Sequence, residues 1–293
     1  MPRRPAFLLL WVICLGGCTG DSIPENVTPN QQDRSPATVE DVSSPAQEPA
    51  LDPIAVMERL GVDVIRNEQD EVVEVHLGGT RIKNAGLAEL STLSHLHTMH
   101  LGDPQITDNG LVHIKPLTSL RSLNLVGAKI SDVGLVHLGG LSNLQVLYLW
   151  ELKTTGAGLA PLAPLTNLQE LWLVDTKIST EGLTHVGSLT GLQKLYLGGS
   201  SVSDASLKFL GKLTKLRVLY LDDTPVSNDG LSHLKELTQL KSLYLGGTKI
   251  TDKGLLHLEG LSGLEQLNLT FTDTSDPAIA HLREVLTGCD VLR

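Results

Sequence analysis

A 24-residue period dominates the sequence. The stretch LKSLYLGGTKITDKGLLHLEGLSG at 240–263 aligns without gaps with LRVLYLDDTPVSNDGLSHLKELTQ at 216–239 and LQKLYLGGSSVSDASLKFLGKLTK at 192–215. The same step gives nine units, which begin at 72, 96, 120, 144, 168, 192, 216, 240 and 264. One unit is too short to bury its own apolar face, so we expect the units to stack into one elongated array.

The spacing within each unit predicts its local structure. We number a unit from its first residue as offset 0. Offsets 0, 3 and 5 are apolar, as in Leu240, Leu243 and Leu245, and the alternation around offsets 3 to 5 predicts a strand. Offsets 15, 18 and 21 are apolar at helical spacing, and Ser or Thr followed by Asp at offsets 11 and 12 predicts a capped helix start. Gly occupies offset 14 in seven of nine units, which predicts close approach of neighbouring units.

This pattern resembles that of bacterial leucine-rich repeat proteins whose unit reads LxxLxLxxTxITDxGLxxLxxLxx. The resemblance covers residues 72–287 and implies an α/β fold. The implied architecture is a right-handed leucine-rich repeat solenoid, a horseshoe with a parallel sheet on the concave face and short helices on the convex face. Helices pack about 8–10 Å apart and strands about 4.8 Å apart, so the stack has to curve with its strands inside.

Residues 1–50 follow a different pattern. Arg3 and Arg4 precede an apolar run of ten residues, which is too short to cross a ~30 Å hydrocarbon core and predicts a signal peptide at 1–17. The sequence Leu-Gly-Gly-Cys that ends at Cys18 resembles the bacterial lipobox. That resemblance implies lipid attached to Cys18, with an ordinary secretory signal as the alternative. Residues 18–50 are rich in Pro, Ser and acids and predict a disordered tether.

The lipobox resemblance implies an exported chain that is lipid-anchored to the bacterial cell envelope, on its periplasmic or cell-surface face. Thr19 stands where an inner-membrane retention signal would have Asp, which favours the outer membrane. Residues 51–71 predict an N-terminal cap made of a short helix and a hairpin, 72–287 the nine repeats, and 288–293 the C-terminal end.

Charge and cysteine content exclude several functions. The formal net charge is −10 and no basic stripe is present, which argues against nucleic acid and against electrostatic binding to anionic lipid. The three cysteines are Cys14, Cys18 and Cys289, and two of them lie in the leader, so no disulfide framework is expected. We expect Cys289 to be a small buried residue near the end of the array.

Offset 4 lies between two buried leucines and therefore points out of the strand face. Five consecutive units carry an aromatic residue there, and all four tyrosines of the chain are among them. Acidic residues follow at offsets 6 and 7, and Lys194 and Arg217 add positive charge at the edge. The predicted partner-binding residues are Tyr148, Trp150, Glu151, Trp172, Asp175, Tyr196, Tyr220, Asp222, Asp223 and Tyr244.

Three functions fit such a surface. Tyr and Trp dominate the hot spots of protein interfaces, which favours a protein-binding module. The same rings could stack on the sugars of a cell-wall or exopolysaccharide glycan. In a purely structural envelope protein they would only cover the strand face.

The sequence gives little indication of a metal site or of catalytic activity. Six histidines share offset 17: His113, His137, His185, His233, His257 and His281. Helices about 8–10 Å apart cannot bring these rings to one zinc ion, so we expect an outward repeat position. His76 and His100, with His97 nearby, could hold adventitious metal, and the acids at offsets 6 and 7 lack a calcium-binding loop. The chain contains no G-x-S-x-G, H-E-x-x-H or phosphate-binding motif, so we expect no metal, no cofactor and no enzyme activity.

Overall fold

The computed structural model describes residues 53–80 and 82–293. The predicted signal peptide, the lipidation site at Cys18 and the tether lie outside the described residues, as does Asp52 at the start of the predicted cap helix. Among the described residues, no helix combines the length and the apolar character needed to cross a membrane.

Within the described part of the chain, eleven strands form one sheet in which every strand pairs with its neighbours in sequence. The first pair, β1 and β2, is antiparallel, and every later pair is parallel. The strands are β1 Asp63–Arg66, β2 Val72–His76, β3 Thr98–His100, β4 Ser122–Asn124, β5 Val146–Tyr148, β6 Glu170–Trp172, β7 Lys194–Tyr196, β8 Val218–Tyr220, β9 Ser242–Tyr244, β10 Gln266–Asn268 and β11 Asp290–Leu292.

Short helical segments return the chain from each strand to the next. The α-helices are α1 Pro53–Arg59, α2 Leu87–Leu90, α3 Asp108–Leu111, α4 Asp132–Leu135, α5 Thr180–Val186, α6 Asp204–Leu207, α7 Asn228–Leu231, α8 Asp252–Leu255 and α9 Asp276–Val285. Single or double 3₁₀ turns occur at Asn84–Gly86, Val112–Ile114, Ala157–Leu162, Leu210–Lys212 and Ser232–Leu234. The observed architecture is the α/β leucine-rich repeat solenoid that the sequence predicted.

The register of the sheet is set by the 24-residue period. Each parallel pair aligns residues 24 apart, so Tyr196 lies beside Tyr220 and Leu195 beside Leu219. The strand and helix leucines of each unit are buried, and in the unit 192–215 those at offsets 3, 5 and 15 are 0% exposed. Stacking therefore creates one continuous leucine core, and it also creates columns of like-numbered side chains on the open face of the sheet.

The C-terminal end adds a strand beyond the nine predicted repeats. Residues 290–292 form a tenth parallel strand, β11, which pairs in register with β10. Val291 takes the buried offset 3, although no leucine opens this partial unit. The prediction that Cys289 is buried was wrong: its side chain is half-buried and packs against the edge of the core. The reason is its position: Cys289 occupies offset 1, and residues at that offset, such as Gln193 and Arg217, are not buried inside the array either.

The acids at offset 12 also differ from their predicted role. Ser131 caps its own helix by accepting from the amide of Val133, as expected. Asp108, in contrast, accepts from the backbone N–H and the hydroxyl of Ser131 in the next unit, at 2.8 and 2.6 Å. Asp132, Asp204 and Asp252 bind the following unit in the same way. These carboxylates therefore join neighbouring units, which periodicity within one unit could not indicate.

The glycines at offset 14 are explained by the same contact. A Cβ atom on Gly134 would lie 2.4 Å from Oδ1 of Asp108, and one on Gly230 would lie 2.4 Å from Oδ1 of Asp204. Such distances are well inside van der Waals contact, so a side chain at Gly134 or Gly230 would require the carboxylate to shift. The close approach predicted from these glycines is confirmed: Gly134, Gly158 and Gly230 lie against an Asp of the preceding unit, and Gly110 and Gly254 lie against an Asn.

Candidate functional site

Five aromatic rings at offset 4 follow one another along the concave face; the last four stack, and the first is tilted by 30° against its neighbour. We call Tyr148, Trp172, Tyr196, Tyr220 and Tyr244 the aromatic stack. Successive ring centroids are 5.5, 3.6, 4.8 and 3.8 Å apart, and the interplanar angles of the last three pairs are 12°, 27° and 8°. The parallel register places each ring beside the next, because strand neighbours lie about 4.8 Å apart and rings stack at a similar distance.

Stacking determines which parts of the rings face the solvent. The rings are half-buried, since their facing surfaces cover one another and only edges and hydroxyl groups remain accessible. Burial raises the pKa of Tyr196 and of Tyr220 well above that of a free phenol, and nearby negative charge and phenols add to the effect. Both hydroxyls are therefore neutral hydrogen-bond groups at any physiological pH.

Side chains at offset 2 hold the stack in place. The Nε1–H of Trp172 donates to Oε1 of Glu170 at 2.8 Å, and Oε2 of Glu170 pairs with Nζ of Lys194 at 2.9 Å. The hydroxyl of Tyr244 donates to Oε1 of Gln266 at 3.0 Å. Lys194 was expected to add positive charge to the edge, but its charge is paired with Glu170, whose side chain is only 15% exposed. Arg217 remains exposed.

An acidic rim lines the turns that follow β5, β6 and β8. Glu151, Asp175 and Asp223 occupy offset 7 with φ of +60°, +55° and +55°, and four of the other units have Gly there. An L-residue in this left-handed region costs about 1 kcal/mol relative to Gly, less for Asp, which is among the residues that tolerate it best. Burial raises the pKa of Asp175, and the charge of Asp223 adds to that shift.

Asp222 is the most enclosed acid of this rim. Its Oδ1 accepts from the backbone N–H of Gly246 at 2.6 Å and from Nδ2 of Asn268 at 3.5 Å. Burial raises the pKa of Asp222 to about 6, the charge of Asp223 pushes the same way, and the hydrogen bond from Gly246 opposes both. This carboxyl therefore changes its charge near neutral pH.

Among the described residues, three aromatic side chains lie outside the stack, and one of them, Phe209, packs against the core. Trp150, at offset 6, is half-buried in the turn after β5, next to Glu151. Phe271 was not among the predicted site residues, yet its side chain is 86% exposed and its φ is +58°. It occupies offset 7, the column of Glu151, Asp175 and Asp223, and that column is the signal by which the sequence could have identified it.

A histidine pair continues the offset-4 column toward the N-terminus. The rings of His76 and His100 stack with centroids 4.4 Å apart. Nε2 of His76 lies 2.5 Å from Oε1 of Glu74, and Nε2 of His100 lies 3.8 Å from the same oxygen. His97, which the sequence placed nearby, is not part of this group among the described residues, and Glu74 takes its place.

The other residues considered for metal binding remain apart. Among residues 53–80 and 82–293, neither the offset-17 histidines nor the four acids of the rim form a group of three ligand atoms within metal-binding distance. Of those histidines, His281 pairs with Glu259 at 3.3 Å. The concave surface thus offers ring edges, neutral hydroxyls and carboxylates, which suit non-covalent recognition.

Comparison with known proteins supports the repeat architecture. Residues 117–139 and 236–258 match the family model described as Leucine Rich repeat. Among curated proteins, no sequence matches this chain.

Solved structures resemble this chain at the level of fold. Internalin C2 from Listeria monocytogenes has a TM-score of 0.55 and 23% identity, over 82% of this chain and 91% of that one. The Arabidopsis receptor kinase HAESA ectodomain, in complex with an extended IDA peptide hormone, has a TM-score of 0.56 and 17% identity over 76% of this chain. The plant peptide hormone receptor RGFR1, in complex with RGF2, has a TM-score of 0.53 and 20% identity over 78% of this chain.

The matched region corresponds to 45% of the HAESA chain and 36% of the RGFR1 chain, so this chain spans less than half of either receptor structure. At these identities the likeness concerns the fold alone. The period, the sheet and these structures agree: the chain carries leucine-rich repeats, and they fold as a right-handed solenoid.

Proposed function

We propose that this chain is a non-catalytic module that binds a protein partner through its concave face. The aromatic stack and the acidic rim together form the binding surface. The observation that carries the proposal is the row of five neighbouring rings, which places half of the chain's ten aromatic residues, including all four tyrosines, on one accessible surface.

The stack is well suited to binding because its side chains are already ordered. Ring contacts and the hydrogen bonds to Glu170 and Gln266 fix the rings before a partner arrives. Immobilising a flexible side chain costs about 0.5–1.5 kcal/mol on association, so pre-ordered aromatic residues retain more of their contact energy.

The rim indicates the charge of the partner. Glu151, Asp175 and Asp223 are exposed, and Lys194 is already paired with Glu170. A basic segment of a protein, with Lys or Arg beside apolar residues, complements this arrangement. The left-handed backbone of the three acids supports the same conclusion, because a residue kept in a costly conformation in place of Gly points to a role outside folding.

The glycan alternative is not favoured. Sugar rings bind aromatic side chains face to face, whereas the faces between Trp172 and Tyr196, and between Tyr220 and Tyr244, are covered by one another at 3.6 and 3.8 Å. A protein segment can use ring edges and hydroxyls instead. The HAESA and RGFR1 structures hold peptide hormones on the same type of fold, which supports a protein partner for this chain by analogy.

We also propose that the module is held at the bacterial cell envelope by lipid on Cys18, on the outer membrane. The support is the sequence alone: a short apolar leader, Leu-Gly-Gly-Cys, and a tether of about 32 residues with a root-mean-square reach of about 30 Å. Metabolic labelling with an alkyne fatty acid tests this, since the Cys18→Ala variant should lose the label and leave the membrane fraction.

A photo-crosslinking experiment tests the binding surface. A photoreactive residue replaces Tyr196 in cells that express the full chain, and a matched residue replaces the exposed Leu256 on the helical side. We expect a protein adduct from position 196 and none of that mass from position 256. The purified partner should then bind the Tyr220→Ala variant about 100-fold more weakly than the original chain. Equal adducts from both positions, or unchanged affinity, would contradict the proposal.

A further inference from the structure

Three potential metal ligands converge at the N-terminal end of the concave face. Among residues 53–80 and 82–293, Glu74, His76 and His100 form a group whose ligand atoms all lie within 4.8 Å of one another. All three side chains are partly exposed, at 29%, 37% and 34% in that order. An ion from solution therefore has access to them.

The repeat backbone builds this cluster. β2 and β3 pair so that His76 lies beside His100, and Glu74 is two residues before His76 and on the same face of the sheet. Neighbouring parallel strands hold the two imidazoles at a ring separation of 4.4 Å with an interplanar angle of 18°. The sheet register therefore brings the three groups together without a specialised loop.

The donor set selects a class of ion. Two imidazole nitrogens and one carboxylate oxygen suit Zn²⁺, Ni²⁺ and Cu²⁺, whereas Mg²⁺ and Ca²⁺ prefer oxygen ligands alone. Imidazole binds such ions through the lone pair of a ring nitrogen, and Nε2 of both histidines lies near Oε1 of Glu74.

All three ligand atoms already lie within 4.8 Å of one another, but the two imidazole rings have to rotate out of their parallel stack before both lone pairs can point at one ion. Ligand atoms around a tetrahedral ion with bonds of about 2.0–2.1 Å lie about 3.3 Å apart. The His76–Glu74 contact of 2.5 Å has to open by less than about 1 Å, and the His100–Glu74 distance of 3.8 Å has to close by about half an ångström. Rotation about side-chain bonds supplies such movements in partly exposed residues.

Asn124 completes the surroundings of the cluster. Its Nδ2 lies 3.4 Å from Nδ1 of His100, while its Oδ1 accepts from the backbone N–H of Val126 at 2.9 Å. This contact belongs to the metal-free form, because binding a metal at Nε2 places the ring proton on Nδ1. A carboxylate at position 124 would accept that proton and favour the metal-bound tautomer.

We propose that Glu74, His76 and His100 form a transition-metal site on the concave face, with Nε2 of each histidine and one oxygen of Glu74 as ligands. Three protein ligands leave at least one coordination position of a four-coordinate ion, and it faces the open side of the sheet. The proposal is independent of partner binding by the aromatic stack, because it requires only the ion and the β2–β3 face.

Calorimetric titration of the purified, chelator-treated full chain with ZnCl₂ and with NiCl₂ tests the site. We expect one saturable event, whose Kd rises at least tenfold in His76→Ala and in His100→Ala, since even loss of an outer hydrogen bond to a metal ligand costs about 10–100-fold. His113→Ala and His137→Ala, which alter histidines on the helical side, should leave the Kd unchanged. Asn124→Asp should lower it.

Two results would overturn the proposed metal site. Unchanged affinity in both His76→Ala and His100→Ala would place the ion on other histidines and overturn the site, as would the lack of any saturable binding. Circular dichroism of each metal-free variant confirms that the fold is retained, which is expected because all three side chains lie on the surface. Cobalt substitution gives an independent readout: a visible absorption band in the original chain that His100→Ala abolishes supports histidine ligation.

Discussion

The N-terminal region of the sheet, β2 to β4, and the central region, β5 to β9, share one backbone but not one surface. Leu123 in the first and Leu147 in the second are both 0% exposed at offset 3. One residue later, at offset 4, the first region carries His76, His100 and Asn124, and the second carries the aromatic stack. The leucine layers fix the fold in both regions, so offset 4 is left to determine what each region can bind.

The two regions also differ in how many neighbouring rings a substitution at offset 4 would disturb. The imidazoles of His76 and His100 contact each other as a pair, whereas Trp172 contacts a ring on either side. A substitution inside the stack therefore disturbs two neighbours and a hydrogen bond, while a substitution at the histidine end disturbs one ring. Stability measurements can test this contrast directly.

The largest expected effect is that of Trp172→Ala. The change removes ring contacts to Tyr148 and Tyr196 and leaves Glu170, which is mostly buried, without its indole donor. We expect the free energy of unfolding to fall by about 2–3 kcal/mol, below the cost for a fully buried Trp because this ring is half-buried. Urea denaturation followed by circular dichroism measures the loss.

His100→Ala is the matched control from the N-terminal region, at the same offset and of the same burial class. It should cost less than about 1 kcal/mol, because the side chain is partly exposed and contacts a single ring. Equal losses in the two variants would show that the stack contributes nothing beyond ordinary surface packing, and the contrast between the regions would be lost.

Much of the fold was predictable because it depends on periodicity. Apolar residues, mostly leucine, occupy offsets 3 and 5 in every unit, so strand, register and the outward direction of Tyr196 followed from spacing alone. Strand β11 was not predicted, because its partial unit opens with Gly288 instead of an apolar residue. A strand at the end of an array needs only its neighbour for pairing, so it tolerates a weaker pattern.

Contacts between units were less predictable than contacts within them. The hydrogen bond from Ser131 to Asp108 and the face-to-face contact of Trp172 with Tyr196 join residues from successive units. Their geometry depends on rotamers that adapt to the next unit, and spacing in the sequence does not specify rotamers. The sequence did not indicate Glu74 as a candidate metal ligand, because offset 2 has no common residue type along the array.

The next largest expected effect concerns offset 6. The N-terminal region has Val126 at this offset, whereas the central region has Asp222. Burial raises the pKa of Asp222 to about 6 in the folded chain, whereas an Asp in an unfolded chain titrates near ~4. The folded state thus holds this proton more tightly, and the stability that the group contributes is greatest below about pH 4 and falls as pH rises toward 6.

Asp222→Asn removes this titration while keeping an oxygen that can accept from Gly246. Above pH 6 the variant should be more stable than the original chain by about 1 kcal/mol, less than the full shift implies because the group remains partly solvated. Below pH 4 the two should be equal. Urea midpoints from pH 4 to 7 measure the difference, and a difference that stays constant across this range would be inconsistent with a raised pKa.

The smallest expected effect concerns offset 7. The N-terminal region has Gly127 at this offset, whereas Phe271 occupies it in the unit that comes directly after the central region. Phe271 adopts φ +58° with its ring 86% exposed, so its side chain gains little from packing while its backbone is strained. Phe271→Gly should raise the free energy of unfolding by about 0.5 kcal/mol, because relief of the left-handed conformation exceeds the greater chain entropy of Gly in the unfolded state. If Phe271 serves the partner instead of the fold, the same variant should bind the crosslinked protein more weakly. If the variant loses stability but keeps its affinity, the ring serves packing. If it gains stability but binds more weakly, the binding surface of the central region extends to the turn after β10.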